Sequence, residues 1–336
     1  MRIGLIAPPW LAIPPGAYGG IEYMIEALAV ALQRAGHDVV LAASGDSTCP
    51  VPRLSAFPPS DPQTMGQSLA ELRHVTRAYR ELHDVEVIHD HSLIGPHLRE
   101  RPQGVPVVTT AHGPFTPAIL DTFTALPRDV SVVAISRHQA STASGVPIAR
   151  VIHHGIDVST IAFGPGAGGY ACFVGRMSPD KGVARAIDAA RRVGMPLRIA
   201  AKMREPLERE YFEAWVRPQL GPAVEFLGEL TRSEKAQLLG GAIALINPIA
   251  WDEPFGLVMI EALAAGTPVV ATPRGSAPEI IDSGRTGFIC STPEEFDAAL
   301  ARVAELDRRD CRREAEGRFS ATRMARDYVE LYRQLA

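Results

Sequence analysis

RIGLIA, residues 2–7, is a short apolar run that stops at Pro8 and Pro9, the pattern of a parallel strand buried on both faces. From Gly20 the apolar residues Ile21, Met24, Ile25, Leu28 and Leu32 recur at helical spacing, and Gly36 closes the pattern before a second apolar run, DVVLAA, at 38–43. This predicts a strand, loop, helix, strand unit. Further apolar runs at Val85–His89, Val105–Thr110, Ser131–Ile135 and Arg150–His153 continue the alternation, which predicts an α/β fold with a doubly wound parallel sheet.

A glycine- and proline-containing stretch, FGPGAGG from Phe163, then interrupts the pattern, and a new strand is expected at Tyr170–Val174. The alternation resumes with strands at Leu197–Ala201, Val224–Leu227, Ile243–Ile246, Pro268–Ala271 and Gly287–Ile289. Two Rossmann-like domains are therefore predicted, 1–160 and 161–316, as a length of 336 residues also favours. The segment 317–336 contains a helix from about Ser320 to Leu335 with Met324, Tyr328, Leu331 and Leu335 on one face.

Bulk properties narrow the function. Hydrophobic residues at 46% and a mean hydropathy of +0.03 describe a chain with ample core. A net charge of -4 argues against a nucleic-acid partner, whose footprint is basic. Cys49, Cys172, Cys290 and Cys311 are scattered without zinc spacing, and no apolar stretch is long enough for a leader or membrane span, so a cytoplasmic protein is expected. Lysine occurs only at Lys181, Lys202 and Lys235, and every histidine lies at or before His154. His89, His91 and His112 end or follow predicted strands, where open α/β sheets place their ligands.

Three motifs carry chemistry. In EPFGLVMIE, Glu253 stands at the mouth of a predicted helix and Glu261 two turns inside it, while the amides of Phe255, Gly256 and Leu257 supply unpaired donors to an anion. Alone, the pair fits equally well a favourable charge at a helix start and a solvated helix residue. In GRMSPDKG, Gly175 to Gly182, Arg176 offers a fork for phosphate oxygens and Lys181 a compact charge, although a loop with two solvated cations reads the same way. PPGAYGGIEYM places Gly16, Gly19 and Gly20 at the first strand-to-helix turn, where a backbone can approach a ligand. Its spacing is not GxGxxG, nor is there a Walker loop.

Together, GGIE at Gly19, GRMSPDKG, EPFGLVMIEALAAGTPVVA and APEIIDSGRTGF resemble the retaining glycosyltransferases of family 4, which have the GT-B fold, and within them small actinobacterial antibiotic-pathway enzymes such as those of avilamycin assembly. The resemblance implies a nucleotide diphosphate sugar, with UDP as the usual nucleotide, bound in a cleft between the domains. Arg176 and Lys181 would meet its phosphates, Glu253 the transferred sugar and Glu261 the ribose. The backbone of Phe255, Gly256 and Leu257 would meet phosphate and sugar, and Gly175 would belong to the same donor site. FLGEL at Phe226 would flank the base through Leu227, Gly228, Glu229 and Leu230. His112 would lie near the sugar, Gly19 and Gly20 would close over the phosphates, and the terminal helix would cross back to the first domain. His154-Gly155 departs from the Asn-Gly of many relatives, and the chain is short for the family.

No Asp-x-Asp occurs, so no metal or other cofactor is expected. A small soluble acceptor is expected, for instance a natural-product sugar, because residues 1–165 hold 11 Arg and no Lys against 14 acidic residues, which opposes anionic lipid. Arg73, Arg77 and Arg80, read as sharing a helix face opposite Leu72, Tyr79 and Leu82, leave a weak peripheral membrane contact and a lipid-linked acceptor as the alternative. A nucleotide-sugar epimerase of the same architecture is the other.

Overall fold

The computed structural model describes residues 1–16, 19–55 and 57–336; Ala17 and Tyr18 of the glycine turn lie outside the described residues. The chain forms two units, Met1–Ile156 with Ala321–Ala336, and Asp157–Ser320.

The first unit holds β1 (Arg2–Ile6), β2 (Asp38–Ala42), β3 (Val87–Asp90), β4 (Val107–Ala111), β5 (Val130–Ala134) and β6 (Ile148–Val151), with α1 (Gly20–Arg34), α2 (Ser68–Glu81), α3 (Pro117–Thr124) and α4 (Arg137–Ser141). Its strands pair in parallel in the order β2-β1-β3-β4-β5-β6. Winding reverses between β1 and β3, the position where such sheets open a crevice at their carboxyl ends. β4 begins at Val107 rather than Val105, because Pro106 has no N–H to donate to the ladder.

The second unit holds β7 (Ala171–Arg176), β8 (Leu197–Lys202), β9 (Val224–Gly228), β10 (Leu245–Asn247), β11 (Val269–Ala271) and β12 (Gly287–Ile289). Its helices are α5 (Val183–Arg192), α6 (Pro206–Tyr211), α7 (Arg232–Gly241), α8 (Leu257–Ala264), α9 (Ala277–Ile280), α10 (Pro293–Arg302) and α11 (Arg308–Arg318). The sheet is again parallel, ordered β12-β11-β10-β7-β8-β9, and its switch lies between β7 and β10. The loops after those two strands are GRMSPDKG and the segment leading into EPFGLVMIE, so the topology itself brings the two motifs to one place.

The last helix, α12 (Ala321–Leu335), packs into the first unit. Met324, Tyr328, Leu331 and Tyr332 are buried in one core with Leu28 and Leu32 of α1, and the chain turns into it through the Ala321 amide on the Ile156 carbonyl. On α2 the apolar face differs from the sequence expectation. Glu71, His74, Val75, Ala78 and Tyr79 are buried, while Leu72 is exposed beside Leu69.

Candidate functional site

In the second unit the loops after β7 and β10 are joined backbone to backbone. The Ala250 amide donates to the Asp180 carbonyl at 2.8 Å, and Arg185 Nε to the Pro248 carbonyl at 2.8 Å. Gly182, at φ 80°, lies so close that a Cβ would stand 2.3 Å from that carbonyl oxygen. Here only glycine combines the left-handed backbone with the space. The contact fixes Lys181, whose Nζ donates to both carboxylate oxygens of Glu253 at 2.6 and 2.7 Å. Their side chains are only 12% and 14% exposed. The ammonium also stands 5.0 Å from the centre of the Trp251 ring, within cation–π range. Arg176, at the end of β7, is more open and pairs with Asp180 at 3.0 Å.

Glu253 is braced from its other side by the loop after β11. The Ser276 amide donates to the Glu253 carbonyl at 3.1 Å, and Ser276 Oγ donates to the Phe255 carbonyl. Gly275, at φ 54°, has the Glu253 carbonyl oxygen 2.2 Å from where a Cβ would be. α8 then starts at Leu257 with left-handed Gly256 as its cap. The sequence reading is thereby moved by one residue. Phe255 is a buried ring set edge-on to Phe319, and the amides at the head of the helix begin at Gly256 and run through Leu257 and Val258.

One turn into α8, Glu261 receives Lys235 Nζ at 2.6 Å from α7, both side chains being largely covered. Lys235 escaped the sequence reading, although a signal was present: in a chain that uses arginine almost throughout, two of three lysines sit on the two glutamates of one motif. FLGEL ends β9 at Gly228 and leads into the Thr231 cap of α7. Leu227 and Leu230 are half-buried there, and the carboxylate of Glu229 is held by Arg204.

Gly175, Arg176, Lys181, Glu253, Gly256, Leu257 and Glu261 thus belong to the carboxyl edge of the second unit's sheet. Gly19, Gly20 and His112 belong to the first unit. Gly19 caps α1, where Glu22 is buried with its carboxyl pushed up by desolvation. His112 follows β4, and its Nε2 lies 3.0 Å from His91 Nδ1. Its ring stacks on His154. Behind them His89 lies between Tyr332 Oη at 2.7 Å and Thr110 Oγ1 at 2.8 Å, and Tyr328 Oη lies 2.8 Å from Thr110. Burial pushes His112 down to about 3 and its three neighbours well below the usual histidine range. Near neutrality these rings are hydrogen-bonding groups without charge. Among the described residues no group of three or more His, Cys, Asp or Glu is arranged to hold a metal ion, and no helix is long and apolar enough to cross a membrane.

Comparison with known proteins gives the arrangement a family. Residues 18–160 match the description "Glycosyltransferase Family 4" and residues 165–318 "Glycosyl transferases group 1". The phosphatidyl-myo-inositol mannosyltransferase of Mycolicibacterium smegmatis is 26% identical, over 91% of this chain and 85% of its own. The crystal structure of AviGT4, a glycosyltransferase involved in avilamycin A biosynthesis, superimposes with a TM-score of 0.78 at 27% identity, covering 99% of this chain and 97% of that one. HepE from Anabaena, solved with UDP and glucose, shares the fold with a TM-score of 0.75 at 21% identity, covering 98% and 99%. With two parallel-sheet units of this topology, and with one family description over each half, the chain belongs to glycosyltransferase family 4 and has the GT-B fold.

Proposed function

We propose that the protein transfers a sugar from a nucleoside diphosphate donor, with UDP as the nucleotide, to a small soluble acceptor, with retention at the anomeric carbon and without a metal ion. The observation that carries this reading is the Lys181–Glu253 pair at the head of α8, with Arg176 beside it in the same loop and Lys235–Glu261 inside the helix. Cations and free helix amides suit a diphosphate, and carboxylates suit sugar and ribose hydroxyls.

In this mechanism the acceptor oxygen bonds to the anomeric carbon as the bond from that carbon to the phosphate oxygen breaks on the same face. The acceptor's proton passes to an oxygen of the departing diphosphate. Arg176, Lys181 and the α8 amides stabilise the charge that develops there. Double displacement would need a carboxylate close beneath the anomeric carbon, whereas in this reading Glu253 meets the hydroxyls of the transferred sugar. His112, neutral, is suited to hydrogen bonding rather than to proton transfer.

A second reading, a lipid-linked acceptor, is favoured by exposed apolar side chains on and near α2. Met65, Leu69, Leu72 and Leu93 are exposed, beside Arg73 and Arg80 on α2. The mannosyltransferase relative is named for a lipid acceptor. Incubating the protein with nucleotide sugars in EDTA, and following transfer, epimerisation and hydrolysis together, tests the main reading. Transfer in EDTA is expected. Interconversion of sugars without transfer, or activity that only magnesium or manganese restores, would contradict it. Activity only in the presence of vesicles would favour the second reading.

A further inference from the structure

Both halves of the proposed donor site are already spent on each other. Lys181 gives two hydrogen bonds to Glu253, and the pair is almost closed to water. A bare diphosphate that draws Lys181 away leaves the Glu253 carboxylate desolvated with its cation gone, an unfavourable state for a buried charge. A diphosphate carrying a sugar brings hydroxyl donors to the same carboxylate as the lysine leaves. We infer that the Lys181–Glu253 pair makes the protein discriminate between nucleotide sugar and bare nucleoside diphosphate, so that Glu253 acts as a specificity-determining residue that weakens the product's hold on the site. This rests on the proposed function, in that Lys181 is taken to meet the diphosphate.

Three features fit this role. The Glu253 backbone is held by the Ser276 amide and lies close against Gly275, which fixes the point from which the carboxylate reaches. Lys181 follows Asp180, whose carbonyl is bound by the Ala250 amide, so the backbone from which the ammonium reaches is held beside the β10 loop. Trp251 offers its ring as a seat for that ammonium, and a cation over an indole face alters its emission. The indole therefore reports where Lys181 is.

The experiment uses inorganic pyrophosphate, UDP and UDP-glucose as probes on the full chain, with Kd measured for wild type, Glu253→Gln, Lys181→Met and the double variant. Lys181→Met is expected to weaken all three probes. If it weakens none, the proposed function fails at this site, whatever Glu253 does. Given that weakening, Glu253→Gln is expected to tighten pyrophosphate and UDP about tenfold while leaving UDP-glucose unimproved. In the Lys181→Met background the same change is expected to give no gain. A gain that persists there would mean plain charge repulsion between Glu253 and phosphate, and no gain in either background would mean no competition; each overturns the inference. Because removing one partner of a covered pair can unfold the unit, the wild type supplies an independent reading. Pyrophosphate should change tryptophan emission, and the change should vanish in Trp251→Phe, which retains Trp10 and Trp215. Emission that changes equally in Trp251→Phe would overturn the seat at Trp251 and with it the displacement of Lys181.

Discussion

Arg176 and Lys181 look alike in sequence, two cations five residues apart in one loop, and the structure separates them by exposure. Arg176 is about a third exposed on Asp180, whereas Lys181 is covered and bound to Glu253. Arg176→Ala is therefore expected to slow turnover about a hundredfold, the scale of one lost charge-stabilising group, with melting temperature unchanged. Lys181→Ala should cost at least as much activity and also lower the melting temperature, because it strands Glu253. Equal melting temperatures would contradict the buried pair. Lys235→Met is expected to raise KM for the donor about tenfold with kcat nearly unchanged, since Glu261 would lose its hold on a group bound equally in ground and transition states. The motif glutamates and loop cations were legible in the sequence from their order and type. Lys235 was not, because its partner is 26 residues away in sequence and only the packing of α7 beside α8 brings them together.

Among the elements, strands were legible to within about two residues because each is an apolar run closed by turn residues. Their exact starts depend on ladder partners, as Val107 after Pro106 shows. The exposed position of Leu72 was not legible, since it depends on how far along α2 the core that covers Val75, Ala78 and Tyr79 extends. The loops that carry the site depend on two glycines whose need is invisible without the fold. Gly182→Ala and Gly275→Ala each combine a left-handed backbone with a Cβ driven into a backbone carbonyl. Each is expected to cost about 2–4 kcal/mol in urea unfolding of the second unit, with donor affinity falling as the β10 loop parts from the β7 loop in the first variant and from the β11 loop in the second. A loss below about 0.5 kcal/mol would contradict that close approach.

Across the whole chain the two units are built on one plan but differ in titration. All ten histidines lie in the first unit and none in residues 157–320. His74, His89, His91, His112 and His154 are held below the usual histidine range by burial. The unfolded chain binds protons there that the folded unit refuses, so stability present at neutral pH is lost as pH falls from about 6.5 toward 4. Asp90 has the opposite sign. Its carboxyl is pushed up to about 7 by burial, so its contribution is present at low pH and lost as pH rises to 7. Glu22 and Glu71 act in the same sense as Asp90. Five histidines outnumber these three carboxyls, at about 1.4 kcal/mol per proton per pH unit. Calorimetry between pH 7 and 5 is expected to move the first unit's transition down far more than the second's, and parallel shifts would contradict the buried histidines.

That the terminal helix belongs with the first unit came from the family resemblance, because its apolar face alone suits either sheet. The amphipathic pattern of Met324, Tyr328 and Leu331 shows that a partner is needed, and only the fold shows that α1 provides it.

Transfer on one face of the anomeric carbon, with the diphosphate as base and no metal, can be followed with water as the acceptor. An α-linked nucleotide sugar is incubated with the protein in EDTA, and the free sugar is followed by proton NMR at times short against mutarotation. The α-anomer is expected to appear first, together with nucleoside diphosphate, and both are expected to be lost in Lys181→Met. The β-anomer appearing first, or no cleavage until a divalent metal is added, would contradict it.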